Sequence, residues 1–135
     1  METRGFPYWA LLVLGALAAL NGIVMGVVPE PWFVRVAADT GPLNLHLVRD
    51  VGGAYLTSGV AAIWAARTPH WRAPLASAAA LFQGLHAAVH VFDVLAGIQP
   101  ASHLLEDVPA IYVPTLIFIG IAVHALRNPT RSRAE

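Results

Sequence analysis

Cysteine and lysine are both absent from the 135 residues. Without thiols there is no disulfide framework and no thiolate metal site, and any redox chemistry must use something other than the chain's own thiols. Charge is scarce as well. Asp, Glu, Lys and Arg together make up 12 % of the residues and the formal net charge is zero, so the basic face that nucleic-acid binding requires is missing. No internal repeat of solenoid length, no low-complexity tract and no compositional break marks a second unit, and residues 1–135 read as one domain.

What is present in abundance is apolar sequence, at 57 % of residues with a mean hydropathy of +0.62. Four apolar segments, at about 8–28, 42–66, 74–98 and 108–126, each approach the ~20 residues needed to cross a ~30 Å hydrocarbon layer. They predict an all-α fold, a bundle of four transmembrane helices in a lipid bilayer. Ala16-Leu17-Ala18 resembles a signal-peptide cleavage site, but the apolar run continues through Val28, which favours an uncleaved span. A soluble four-helix bundle would need a continuous charged face on each helix, and these segments have none.

Arginine sets the expected orientation. The amino terminus, the 67–73 loop and the tail hold Arg4, Arg67, Arg72, Arg127, Arg131 and Arg133, whereas the other two loops hold only Arg35, with Arg49 just inside the second helix. By the positive-inside rule both termini are cytoplasmic, and loops 29–41 and 99–107 face outward. Pro29 and Pro31 stop the first helix, Asp39 to Pro42 offer a cap and a first-turn proline for the second, and Asp107 followed by Pro109 does the same for the fourth. Residues 31–38 fit a short amphipathic turn lying flat at the interface, where Trp32 and Phe33 are favoured. Gly15, Ala19, Gly22 and Gly26 on the first helix, with Gly52, Gly53 and Gly59 on the second, allow close backbone approach.

The polar residues within these apolar runs are the candidates for function. Gln83, His86, His90 and Asp93 are spaced by three, four and three residues and share one helical face. His86 falls near the middle of its segment, with His90 roughly 6 Å and Asp93 roughly 10 Å further out. His46 and Asp50 share a face of the preceding helix at comparable depth. Asn21, Glu106, Asp107 and Tyr112 also fall in this outer half. Ionisable groups at membrane depth cost a few kcal/mol and face the bundle interior, pair with one another or line a pathway.

Imidazole and carboxylate suit a transition metal such as zinc, iron or copper, with His46, Asp50, His86, His90 and Asp93 as ligands and Arg49 as charge partner. Asn21, Gln83, Glu106 and Tyr112 would stand behind them. A haem would need facing axial histidines, His46 with His86 or His90. A quinone site or proton relay is the third chemistry open to the cluster. Each element also has a structural reading: Arg49 neutralising Asp50 or Asp93, Asp107 capping the fourth helix, Asn21 bonding across helices. His70, His103 and His124 fall in no pattern.

The stretch Arg49-Asp50-Val51-Gly52-Gly53, set in four short-looped helices, resembles the DoxX-like group of small bacterial integral membrane proteins. The architectural likeness covers most of the chain, while only Arg49, Gly52 and Gly53 are motif-like. The resemblance implies the cytoplasmic (inner) membrane and, for some members, thiol or sulfur oxidation feeding quinone. The missing cysteine sets thiol exchange aside. Two functions follow as expectations: a metal or redox-cofactor site within a membrane oxidoreductase or its accessory subunit, or a non-enzymatic subunit or small transporter that uses the cluster as an ion-pair or proton-relay network. The small-residue faces allow a membrane partner protein or a homo-oligomer.

Overall fold

The computed structural model describes residues 5–128, which are helical with no strand among them. Arg4, Arg131 and Arg133, which enter the charge asymmetry above, lie outside the described residues. Helix α1 (Phe6–Val27) starts after an extended Gly5 with proline in its first turn and ends at Val28, whose φ of −129° leaves the helical region because Pro29 follows. The chain re-enters a helix at once. This short α2 (Pro29–Val36) has Glu30 in its first turn and Arg35 in its last, both complementing the helix dipole. The segment expected to form one amphipathic turn is therefore a true helix, and Trp32 ties it back to α1 by donating from Nε1 to Asn21 Oδ1 at 2.9 Å.

Helix α3 (Leu45–Arg67) begins later than the expected residue 42. Asn44 is its cap: the side-chain Oδ1 accepts from the backbone N–H of His46 and Leu47, each at 3.1 Å, a bond that Asp39 and Thr40 are too far upstream to make. Thr68 before Pro69 ends it, and Arg72 Nε donates to the Ala65 carbonyl at 3.3 Å, meeting one of the acceptors that the last turn leaves open. Helix α4 (Arg72–Leu95) stops short of the expected residue 98 because Gly97, at φ +73°, closes a left-handed cap. Ile98 N–H bonds to Asp93 O at 2.8 Å and Gly97 N–H to Val94 O at 3.1 Å, a Schellman pairing.

The last part of the chain is less regular. A single turn, α5 (His103–Glu106), leads into a wide π turn at Val108–Tyr112, which continues as α6 (Val113–Arg127). Tyr112 N–H reaches Asp107 O at 3.2 Å, five residues back. Pro109 and Pro114 supply no N–H, and proline rings crowd the preceding turn, so a widened turn here satisfies more of the backbone than a tight one.

Helix α1 packs against α3, α3 against α4, and α4 against α6, each pair antiparallel, with only marginal contact between α1 and α6. The apolar core lies towards one end, where Leu11, Ala62, Ala65, Ala76, Ala79 and Phe118 are essentially sealed from solvent. Three helical stretches, Phe6–Val27, Pro69–Leu95 and Val108–Arg127, are long and apolar enough to cross a membrane. Helix α3 has the length but carries His46, Arg49 and Asp50 in its first two turns. Many large apolar side chains point outward on the long helices, including Leu17, Leu85 and Leu116.

The α1–α3 contact is the closest in the molecule. A Cβ on Gly52 would lie 2.7 Å from Met25 Cβ, and one on Gly59 would lie 2.5 Å from the Gly15 carbonyl oxygen. Gly53 and Gly26 have open space at the same position and take no part in this contact. Replacing Gly59 with Ala adds up to ~1 kcal/mol of helix propensity but forces backbone against backbone, an overpacking cost of about 1–3 kcal/mol. We therefore expect Gly59→Ala and Gly52→Ala to lower the thermal midpoint of the purified protein, followed by circular dichroism in mild detergent. Gly26→Ala should leave the midpoint unchanged or raise it.

Candidate metal centre

Helix α4 carries His86 and His90 towards the end of the bundle opposite the alanine-rich core. There the α5 turn and the π turn bring two further groups to them. His90 Nδ1 lies 2.8 Å from Asp107 Oδ2, with both side chains largely withdrawn from solvent at 21 % and 12 % exposure. The His103 ring stacks on His90 with centroids 6.2 Å apart and planes 9° from parallel. His90, His103 and Asp107 each offer one ligand atom, and all three atoms lie within 4.8 Å of one another.

Around this trio stand further polar groups. His103 Nδ1 is 3.7 Å from Asp39 Oδ2 and 3.6 Å from Glu106 Oε2. Gln99 Nε2 donates to the Asp39 carbonyl at 3.2 Å, so the two loops expected on one side of the bundle do meet. On the inward side the His86 ring meets His90 edge-on at 4.7 Å, Tyr55 of α3 packs edge-on to His86 at 5.3 Å, and Phe82 stacks below. The Tyr112 hydroxyl is buried without a hydrogen-bond partner among the described residues, and the Asp107 charge reaches it as well as Tyr55 and His86. Asp107 is thus the single carboxylate around which the buried polar groups collect.

This arrangement regroups the residues singled out in the sequence. His90 is in the centre and His86 beside it, but His46 and Asp50 are elsewhere: they pair with each other at 3.3 Å on the outer face of α3, at 87 % and 61 % exposure. The i,i+4 spacing correctly placed them on one face, but that face turns away from α4. His46 is accordingly not available to face His86 or His90 across a haem. Asp93 is half-buried with no side-chain hydrogen bond or ion pair among the described residues; its carbonyl closes the cap of α4. Arg49 is exposed and pairs with neither Asp50, its neighbour in sequence and about 100° away around the helix, nor Asp93.

Of the residues expected behind the site, Glu106 and Tyr112 lie next to it. Gln83 is buried a turn below His86, where its carbonyl accepts from Thr115 Oγ1 at 3.3 Å and joins α4 to α6. Asn21 belongs to the α1–α2 joint described above. Asp107 makes no capping bond from its side chain, so its expected role as a helix cap is replaced by the bond to His90. His103 was passed over because the apolar pattern left it in a loop, whereas it opens the short helix α5; its four-residue spacing to Asp107 was the available signal.

The trio passes a simple test of fit. Ligand atoms around a tetrahedral ion with bonds of 2.0–2.1 Å stand about 3.3 Å apart. The His90 to Asp107 spacing of 2.8 Å must open slightly and the wider spacings, at most 4.8 Å, must close by up to about 1.5 Å, which side-chain torsions can provide. Two imidazoles and a carboxylate are ordinary donors for zinc or iron and leave positions open for an exogenous ligand. No protein family, curated protein or solved structure matches the chain.

The His90–Asp107 bond also joins α4 to the turn before α6, so it contributes to stability without any ion. Replacing Asp107 with Ala leaves the largely buried imidazole without its acceptor, a loss of about 1–3 kcal/mol. The expected outcome is a lower thermal midpoint for Asp107→Ala than for the unaltered chain when both are melted in chelator. Asp93→Ala, which removes no side-chain partner, should melt with the unaltered chain.

Proposed function

We propose that the protein is an integral membrane protein whose four long helices all cross the bilayer, with a divalent first-row transition ion held by His90, His103 and Asp107 near the outer surface. The observation that carries the metal reading is the convergence of two imidazoles and one carboxylate, from separate elements, within 4.8 Å. Three apolar helices support the membrane reading. With α3 counted as the fourth span, Arg67, Arg72 and Arg127 fall at one end and Arg35 at the other, which favours cytoplasmic termini. For a bacterial chain this is the cytoplasmic membrane.

Zinc and non-haem iron suit the donor set best; copper is the next choice. The Tyr112 hydroxyl, buried without a hydrogen-bond partner among the described residues, and the His86 imidazole beside His90 would be the groups available to hydrogen-bond an exogenous ligand on such an ion. That ligand would enter from the Asp39 and Glu106 side, where the loops meet, or laterally from lipid as a quinone head group would. The DoxX-like likeness adds no ligand to this centre: Gly52 packs against α1, and Arg49 is exposed. An oxidoreductase role, alone or as the accessory subunit of a larger enzyme, would belong to iron, and a hydrolytic or structural one to zinc.

One observation favours a second reading. His90 and Asp107 lie at direct hydrogen-bond distance, 2.8 Å, as in a purely structural polar clamp or one step of a proton relay in a transporter. Elemental analysis separates the two. Protein purified in mild detergent without a histidine tag should hold close to one transition ion per chain, and His90→Ala and His103→Ala should each lose it while keeping their helical circular dichroism. His46→Ala should retain the ion. Bound metal equal in all four proteins, or no binding on reconstitution with zinc or ferrous iron, would leave the clamp as the function of the cluster.

Acid should release the ion. Metal ligation requires neutral imidazole and an ionised carboxylate, so binding of the ion competes with protons. Affinity for cobalt, followed by its visible ligand-field bands, should therefore fall as the pH is lowered. A pH-independent band intensity would place the ion on other donors.

A further inference from the structure

Helix α3 is the least apolar of the long helices, and its outward face is the most polar surface along them. His46, Asp50, Gly53, Thr57, Val60 and Trp64 follow one another at intervals of four, three, four, three and four residues, and every one is exposed. These intervals average 3.6 residues, the period of the α-helix, so the six form one continuous stripe along α3, and a face meant for lipid has no reason to hold its charged and polar members. Arg49 flanks this stripe beside Asp50 and makes no ion pair among the described residues.

The depth of the charges makes the face costly. Asp50 is six residues from the midpoint of the helix that runs Leu45–Arg67, or about 9 Å along the axis, inside a hydrocarbon half-thickness of about 15 Å. A carboxylate and a guanidinium facing lipid at that depth cost several kcal/mol unless each meets a partner; Asp50 meets only the exposed His46 at 3.3 Å, and Arg49 meets no carboxylate among the described residues. The adjacent face of α3 already rests on α1 and α4, so no other part of the described chain covers this one.

We propose that two copies of this chain pair through the outward face of α3, about a two-fold axis along the bilayer normal. This rests on the membrane reading above, though not on the metal. In such a pair the helices run parallel and residue 50 of each copy approaches residue 49 of the other, so Arg49 and Asp50 form two reciprocal ion pairs from one surface. Charge complementarity of the face with itself thus selects a second copy over an unrelated helix. The middle of the seam is shaped for approach. Gly53 has open space where a Cβ would stand, and the Thr57 hydroxyl is turned back to the Gly53 carbonyl at 2.9 Å, leaving a methyl group outward. Pairing places the least apolar helix at the centre of a dimer, where lipid does not reach it.

The absence of cysteine makes the test direct. Single cysteines at Gly53, Thr57 and Val60, and at Leu85 and Leu116 on lipid-facing sides of α4 and α6, are introduced into the full chain and oxidised in native membranes with copper phenanthroline. The expected result is covalent dimer at the three seam positions, several-fold above the two controls. Arg49→Asp or Asp50→Arg alone should abolish cross-linking through Thr57→Cys, and the two together should restore it. Yields no higher than the controls, or adducts of a mass other than twice the chain, overturn the proposal. Carbonate extraction of the same membranes separates the causes: chain that resists extraction without cross-linking refutes the dimer alone, while extractable chain refutes the membrane reading and the dimer with it.

Discussion

A carboxylate drawn into an apolar helical array must be met by polar partners, and the end of the molecule around Asp107 is organised by that requirement. Its closest partner is His90 on the neighbouring long helix, at 2.8 Å, and its charge also reaches Tyr55, His86 and Tyr112. Removing the carboxylate from water is tolerable only because these groups converge on it. The opposite end has the contrary character. Alanine faces let the four helices come together there, and nothing but a few hydroxyls interrupts the apolar contact. The molecule therefore separates its cohesion from its chemistry along the helix axes.

Two kinds of joint hold that chemistry in place. The glycine contact between α1 and α3 fixes their axial register, because backbone meets backbone and neither helix can slide without collision. At the other pair, register is set by side chains: Thr115 to the Gln83 carbonyl below and His90 to Asp107 above. The short helix α2 and the Asp39 turn close over the same end, with Trp32 anchored to Asn21 and Asp39 engaged by Gln99 and His103. The candidate ligands thus lie on a loop-rich end whose loops are tied to one another.

The long helices were legible in the sequence because apolar runs of membrane length have few alternative structures. Their ends were less so. Asn44 rather than the Asp39 to Pro42 run caps α3, and Gly97 terminates α4 earlier than hydropathy suggests, since hydropathy does not sense which side chain reaches a free N–H or where φ turns positive. His90 was identifiable from its spacing with His86. Asp107 was legible only as a polar residue of the outer half and His103 fell in no pattern, because they meet His90 through the pairing of α4 with the α5 turn, and helical periodicity tells which residues share a face but not what that face touches. His46 and Asp50 illustrate the same limit from the other direction: their shared face was correct and its neighbour was not.

The π turn at Val108–Tyr112 deserves to be seen as a matter of phase. It holds one residue more than an α-helical turn would need, and each residue of an α-helix advances the chain by about 100° about its axis. A relative of this chain lacking one residue between Asp107 and Val113 could keep every buried contact of α6 with α4, yet its carboxylate would point about 100° away from His90. Chain length across this turn is then as strict a condition on the centre as the identity of its ligands, and in any family of such proteins a one-residue gap there would separate members that can assemble the site from members that cannot.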